Sequence, residues 1–136
     1  MGVNYFAHYH TCNCCGKEKK VVHIGNSSHG WQFHFHTPSY DIRCAQDWRR
    51  EMITPGVVVK DEEGNTVSYD DFWAMVKQKQ EDPYHMSYYR ICRGEAATER
   101  EREYLDRYPR ILHESGYERG VYLDEEGFTF DPGEFS

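Results

Sequence analysis

Three of the five cysteines fall within four positions, in the run Cys12-Asn13-Cys14-Cys15-Gly16, and His23 follows on a stretch that reads as a strand. A tetrahedral zinc ion takes thiolate and imidazole ligands, with Zn–S bonds of about 2.3 Å. The two-residue spacer between Cys12 and Cys15 puts both sulfurs on one tight turn, and Gly16 permits the positive φ that keeps the backbone close. A disulfide is the competing chemistry. The odd number of cysteines opposes it, as does an N-terminus, MGVNYFAHYH, that lacks the basic-then-apolar pattern of a secretory leader. A thioredoxin-type redox pair would need a helix starting inside the motif, whereas Lys17 to Lys20 leads into a strand.

Two further ligands are required, and the next two strands offer them. "VVHIG" and "WQFHFHT" flank "NSSHG", whose Asn, Ser and Gly residues suit a tight connection. On the second of these strands Trp31, Phe33 and Phe35 share one face, and Gln32, His34 and His36 share the other. Pairing that sets Ile24 against Trp31 places His23 opposite Gln32, on the face of His34 and His36. A slip of one residue would turn His23 to the other side. The expected metal set is Cys12, Cys15, His23 and His36, with His34 as the substitute for His36. His8, His10 and Cys14 stay open as alternatives, because the two histidines share a face with Cys12 on an extended strand. Four protein ligands leave no open coordination position, so the expectation is a structural zinc ion and no catalytic residue. Cys44 and Cys92 read as buried free thiols acting as small hydrophobes.

The elements that must position these groups are readable from pattern. "NYFAHYHTC" is near-alternating and reads as a first strand. After Pro38, Ser39 or Asp41 can cap a helix with Ile42, Ala45, Trp48 and Met52 along one stripe, ending before Pro55-Gly56. A strand, a turn at Gly64-Asn65 and a short return follow. Ser68 with Asp71 resembles a capping box, and Tyr69, Phe72, Trp73 and Val76 then keep helical spacing up to Asp82-Pro83. "YHMSYYRICRG" is ambiguous between strand and loop. "EAATEREREYLDRY" reads as a third helix, with Tyr104, Leu105 and Tyr108 inward and its charges on a solvated face. "GVYLDEEGFTFDPGEFS" closes as a hairpin. A chain of 136 residues supports one core. The fold expected is a single α+β domain over residues 1–136, a small antiparallel sheet with an N-terminal zinc knuckle packed against two or three helices.

Composition narrows the partners. A net charge of −7 opposes a polyanion-binding role, which relies on clustered Lys and Arg. No stretch approaches the roughly 18 apolar residues of a membrane span, and Phe6 stands where a myristoylation signal carries Ser or Thr. Eleven tyrosines and three tryptophans can close a small core, and any left exposed favour protein contacts.

"YHTCNCCGKEKKVVHIGNSSHGWQFHFH", "DWRREMITPGVVVKDEEGNTVSYDDF" and the closing "DPGEFS" together resemble a family of small bacteriophage proteins of uncharacterised activity. The shared pattern is Cys-x2-Cys-Gly, then His-Ile-Gly-Lys-Ser-Ser, a Gly-Trp-x-Phe strand ending in His, an Asp-Glu-x-Gly turn and a terminal Gly-Glu-Phe-Ser. The match is loosest from Gln80 to Arg119, and Asn26 stands where the family often has Lys. The resemblance implies that Cys12, Cys15, His23 and His36 carry the common positions, and it implies a phage origin with a place in the host cytoplasm. Small size, an acidic aromatic-rich composition and the lack of a catalytic constellation then point to an accessory protein. Its expected role is to bind and inhibit or divert a host protein, an antiviral defence component. The alternatives are a zinc-dependent nuclease or hydrolase with His34 or His10 as general base, or a zinc-knuckle nucleic-acid module using Lys17, Lys19 and Lys20.

Overall fold

A computed structural model describes residues 2–10, 18–38, 41–108 and 120–132. The chain runs β1 (Gly2–His10), β2 (Glu18–Ser28), β3 (His34–His36), α1 (Ala45–Met52), β4 (Val57–Asp61), β5 (Thr66–Val67), α2 (Tyr69–Glu81), α3 (Tyr88–Cys92), α4 (Glu99–Arg107), β6 (Tyr122–Leu123) and β7 (Thr129–Asp131). All seven strands form one sheet in the order β5-β4-β1-β2-β3-β7-β6, antiparallel except where β3 meets β7. The α+β class holds. The sheet is larger than the small one expected, because β2 pairs through "NSS" and the C-terminal hairpin adds its two strands beyond β3. Among the described residues four helices, rather than two or three, accompany it.

One face of the sheet carries the apolar core. Ala7, Ile24, Phe33, Phe35, Val59 and Phe130 meet Ala45, Trp48 and Met52 of α1 and Phe72 and Val76 of α2. Phe35 is the hub: its ring stacks on Phe130 at 4.8 Å and lies 4.6 Å from Phe33 and 5.7 Å from Trp73. Offset and tilted ring pairs of this kind add to the area each ring removes from water. The apolar stripe read from the sequence therefore sits where periodicity puts it, but the capping of α1 differs. Cys44, half-buried, occupies its N-cap without a side-chain hydrogen bond, and the Ala45 N–H donates instead to Asp124 Oδ2 at 2.7 Å, from the β6–β7 turn. Asp41 is not the cap, and Ser39 lies outside the described residues. For α2 half of the expected box is present: Ser68 is the N-cap, its Oγ accepting from Asp71 N at 3.1 Å, and the helix stops before Asp82.

The stretch ambiguous between strand and loop contains helix α3, with Ser87 as its N-cap and Cys92 buried. The charged run of α4 is not wholly solvated. Glu101 is fully buried, forms a capping box with Thr98, and accepts from Ser87 N (2.8 Å), Ala97 N (2.9 Å) and Arg90 Nε (2.9 Å). A sequence reading of charge alone misses this, since a carboxylate at the N3 position serves the helix end as well as the solvent. Tyr104 packs inward on Trp31 at 5.1 Å, whereas Tyr108 is exposed.

Burial pushes the Glu101 carboxyl up, but the Arg90 hydrogen bond and the two backbone N–H groups outweigh it, so its net shift is below the ordinary 4.5. A depressed folded value stabilises above the unfolded value and loses that stabilisation as pH falls through the folded one. Glu101→Gln should therefore lower the urea midpoint at pH 7. The gap between parent and variant should narrow as pH drops below about 4.5, the ordinary value. A gap that widens on acidification would contradict the assignment.

Candidate metal centre

The second face of the sheet is polar, and it is built by an irregularity in β2. Tyr5 pairs with Gly25, but the next residue, Phe6, pairs with His23, which leaves Ile24 as the extra residue of a β-bulge. The β2–β3 ladder sets Gly25 against Phe35 and Asn26 against His34. The expected pairing of Ile24 with Trp31 is thus wrong; Trp31 instead bridges to Met86. Run on without a bulge, the observed register would turn His23 to the core face, beside Phe33 and Phe35. The bulge restores it to the polar face. The His23 and His36 rings stack there with centroids 5.6 Å apart and planes at 28°.

Gly25, beside the bulge, lets β2 lie close to β3. A Cβ on this residue would stand 2.3 Å from the His34 carbonyl oxygen and 2.5 Å from Phe33 Cε1. Only a residue without a side chain lets β2 and β3 approach so closely.

Each imidazole has a distinct environment. His23 lies against the Phe6 ring at 5.1 Å, and its Nε2 is 3.0 Å from Asn4 Oδ1. Burial holds the His23 pKa below its ordinary value, His36 and His34 reinforce that by charge, and a hydrogen bond with the Gly25 backbone offsets part of it. The neutral ring is the form that can ligate a metal. His34 is held otherwise: its Nε2 is 2.9 Å from Oδ2 of the fully buried Asp131, and its ring stacks on Tyr88 of α3 at 4.7 Å. Asp131 is in register with His36, yet its carboxylate reaches diagonally to His34. His8 pairs with Val21, two positions along β1 from Phe6 and so on the same polar face.

Of the predicted set, the fold brings His23 and His36 together. Cys12 and Cys15, with the alternative Cys14, lie outside the described residues, as does the side chain of His10. Among the described residues alone, no group of three or more His, Cys, Asp or Glu is arranged to hold a metal ion. Two imidazoles on one face fit half of a Cys2His2 set, and residues 11–17, which carry the thiols, join β1 to β2, the strand that bears His23. Sequence reasoning missed Asn4, Asn26, Tyr88 and Asp131. Asn4 was discoverable, since it alternates with Phe6 and His8 on the face that carries the histidines; Asp131 was not, because its strand pairs with β3 from the far end of the chain.

No protein-family model, curated protein or solved structure matches the chain. Among the described residues no helix is long and apolar enough to cross a membrane.

Substituting Gly25→Ala should cost on the order of 1–3 kcal/mol, the usual range for forcing a methyl into filled space. It should also separate His23 from His36, which would be seen as loss of cross-peaks between their ring protons in NMR spectra of the full chain. Unchanged stability and unchanged ring contacts would refute the role given to the bulge.

Proposed function

We propose that this chain is a zinc-stapled accessory protein of bacteriophage origin that acts by binding a host protein, a component of antiviral defence, and inhibiting or diverting it. The observation that carries the metal part is the stack of His23 on His36, reached through the bulge at Ile24 and the close β2–β3 approach at Gly25. Cys12, Cys15, His23 and His36 would hold the ion. A zinc ion closed by four side chains contributes folding free energy and no reaction centre.

Binding rather than chemistry is supported by the surface as well. A cavity of about 290 Å³ is lined by Arg49, Trp73, Lys77, Glu126 and Phe128 among others, with the Arg49 guanidinium 4.6 Å over the Trp73 ring. Arg and Trp are the residue types that dominate binding energy at protein interfaces. The charge of −7 favours a basic partner surface over nucleic acid.

A second reading has one specific observation in its favour. The buried Asp131 carboxylate holds His34 through its Nε2, the kind of carboxylate–imidazole pair that positions a general base in a hydrolase. His34→Gln and Asp131→Asn would abolish turnover of a candidate phosphodiester or ester substrate on that reading. Unchanged turnover would remove it.

Elemental analysis of the purified chain should find one zinc per molecule. Removing it with a chelator should lower the thermal midpoint, and resupply at about 100 times the dissociation constant should restore roughly 2.7 kcal/mol. Cys15→Ala and His36→Gln should lose the ion, and Cys44→Ala should keep it. Metal-free protein with a midpoint equal to that of the metal-loaded form would defeat the staple. For the binding part, the Arg49→Ala/Trp73→Ala double variant should fail to retain the host protein that co-purifies with the parent from infected cells.

A further inference from the structure

Helix α4 carries Arg100, Glu103, Tyr104 and Arg107 at spacings that set them along one side, and Tyr108, its C-cap, continues the row. With Met86 these five line an open cavity of about 190 Å³. The charges of the helix are unevenly matched. Glu101 is paired with Arg90, and Glu99 lies 3.9 Å from Arg102. Among the described residues neither Arg100 nor Arg107 forms an ion pair, and Arg100 Nε is sealed from water with no hydrogen-bond partner. The Arg100 guanidinium is nonetheless held in place. It lies 4.1 Å over the Tyr84 ring, whose hydroxyl is hydrogen-bonded to His29 Nε2, and a Cβ on Gly30 would stand 3.0 Å from its Nη2. A cation–π contact offsets part of the charge but gives the N–H donors no acceptor.

We propose that this cavity is a binding site for a carboxylate carried on a small apolar body. Each guanidinium presents a fork of N–H donors that matches the two oxygens of a carboxylate, and a fork already fixed loses little freedom on binding. Glu103 belongs to the same lining, so the site has a net formal charge of +1, two arginines against one glutamate. A single carboxylate neutralises that charge, whereas a phosphate dianion exceeds it. Tyr104 and Tyr108, with ring centroids 4.8 Å apart, supply apolar walls, and a cavity of about 150 Å³ is room enough for benzene. The inference needs neither the zinc ion nor the surface around Arg49 and Trp73. The competing account is that Arg100 only braces Tyr84 against Gly30 and that Arg107 is a solvated surface charge.

Benzoate is the probe, titrated into the full chain and followed by proton NMR of the Tyr104 and Tyr108 rings, with benzamide as the uncharged isostere and phenyl phosphate as the dianion. Benzoate should give saturable shifts at both rings, and benzamide none. Arg107→Gln, at an exposed position, should weaken benzoate about 10–100-fold, the usual worth of charge-assisted hydrogen bonds. Glu103→Gln, also exposed, should tighten it by removing a like charge. An acetylated, amidated peptide with one glutamate identifies the source of the carboxylate. A peptide that binds at least as tightly as benzoate assigns it to a side chain of a protein partner, and one that binds less tightly assigns it to a free acid; either result upholds the site. Equal binding of benzamide, or tighter binding of phenyl phosphate, would overturn the carboxylate assignment. No saturable shift with benzoate, or an affinity unchanged in Arg107→Gln, would overturn the site itself. Should a variant fail to fold, the benzoate and benzamide titrations of the parent decide.

Discussion

The extra residue at Ile24 in β2 governs how the two faces of the sheet are built. A strand exposes alternate side chains to alternate faces, so without an insertion the ladder that seats Phe33 and Phe35 in the core would also drive His23 into it. The bulge at Ile24 lets β2 meet two demands at once. Ile24 itself is fully buried, Gly25 brings the β3 backbone close, and one residue further on His23 emerges on the opposite side. Such insertions bend and twist the strand that carries them, and they cluster beside functional sites because they re-aim a side chain.

The consequence is a sheet with two differently built faces. One is closed by α1 and α2 through stacked and edge-on aromatic rings. The other holds amides, imidazoles and the buried carboxylate of Asp131, and here burial has to be matched by hydrogen bonds, since an unmet polar group away from water costs free energy comparable to a lost bond. The Ser28–Asn26–Asn4–His23 chain and the His34–Asp131 pair meet that requirement. The same logic reaches α2, where the buried Lys79 ammonium donates to Ser27 Oγ at 2.7 Å and to the Ser28 carbonyl at 2.8 Å, tying the helix to the end of β2. Burial lowers the Lys79 pKa, as expected for a cation whose partners here are neutral oxygens.

Local signals in the sequence located most elements because the physics behind them is local. Ser68 stops one helix end by accepting a backbone proton, Asp82-Pro83 stops the other, and the alternation of Phe33 and Phe35 marks a core-facing strand without any knowledge of what lies across from it. Long-range pairing is a different kind of information. The β3–β7 contact, parallel and joining residues from opposite ends of the chain, leaves no periodic trace, so the sheet was underestimated and Asp131 overlooked. The register of β2 against β3 was misjudged for a related reason: "NSSHG" looks like turn from its composition, yet Asn26 to Ser28 continue the strand because Asn4, Val3 and Gly2 are available to pair with them. The convergence of His23 with His36 was nonetheless anticipated, since the wrong register and the unforeseen bulge shift the histidine by an odd count in compensating directions. Agreement on that point reflects cancelling errors, and the bulge is its physical cause.

The two contacts made by His34 bear on which imidazole completes the proposed ligand set. His34 is engaged on two sides, its ring stacked on Tyr88 and its Nε2 2.9 Å from the fully buried Asp131 carboxylate. A ligating imidazole commonly donates its other N–H to a carboxylate, so that contact would serve a metal ligand as well as it serves the fold. What favours His36 is its place: its ring stacks on His23, the other imidazole of the proposed set, with centroids 5.6 Å apart. The polar face therefore distinguishes its histidines by their neighbours rather than by sequence spacing: His34 has the Asp131 carboxylate and the Tyr88 ring, and His36 has the ring of His23.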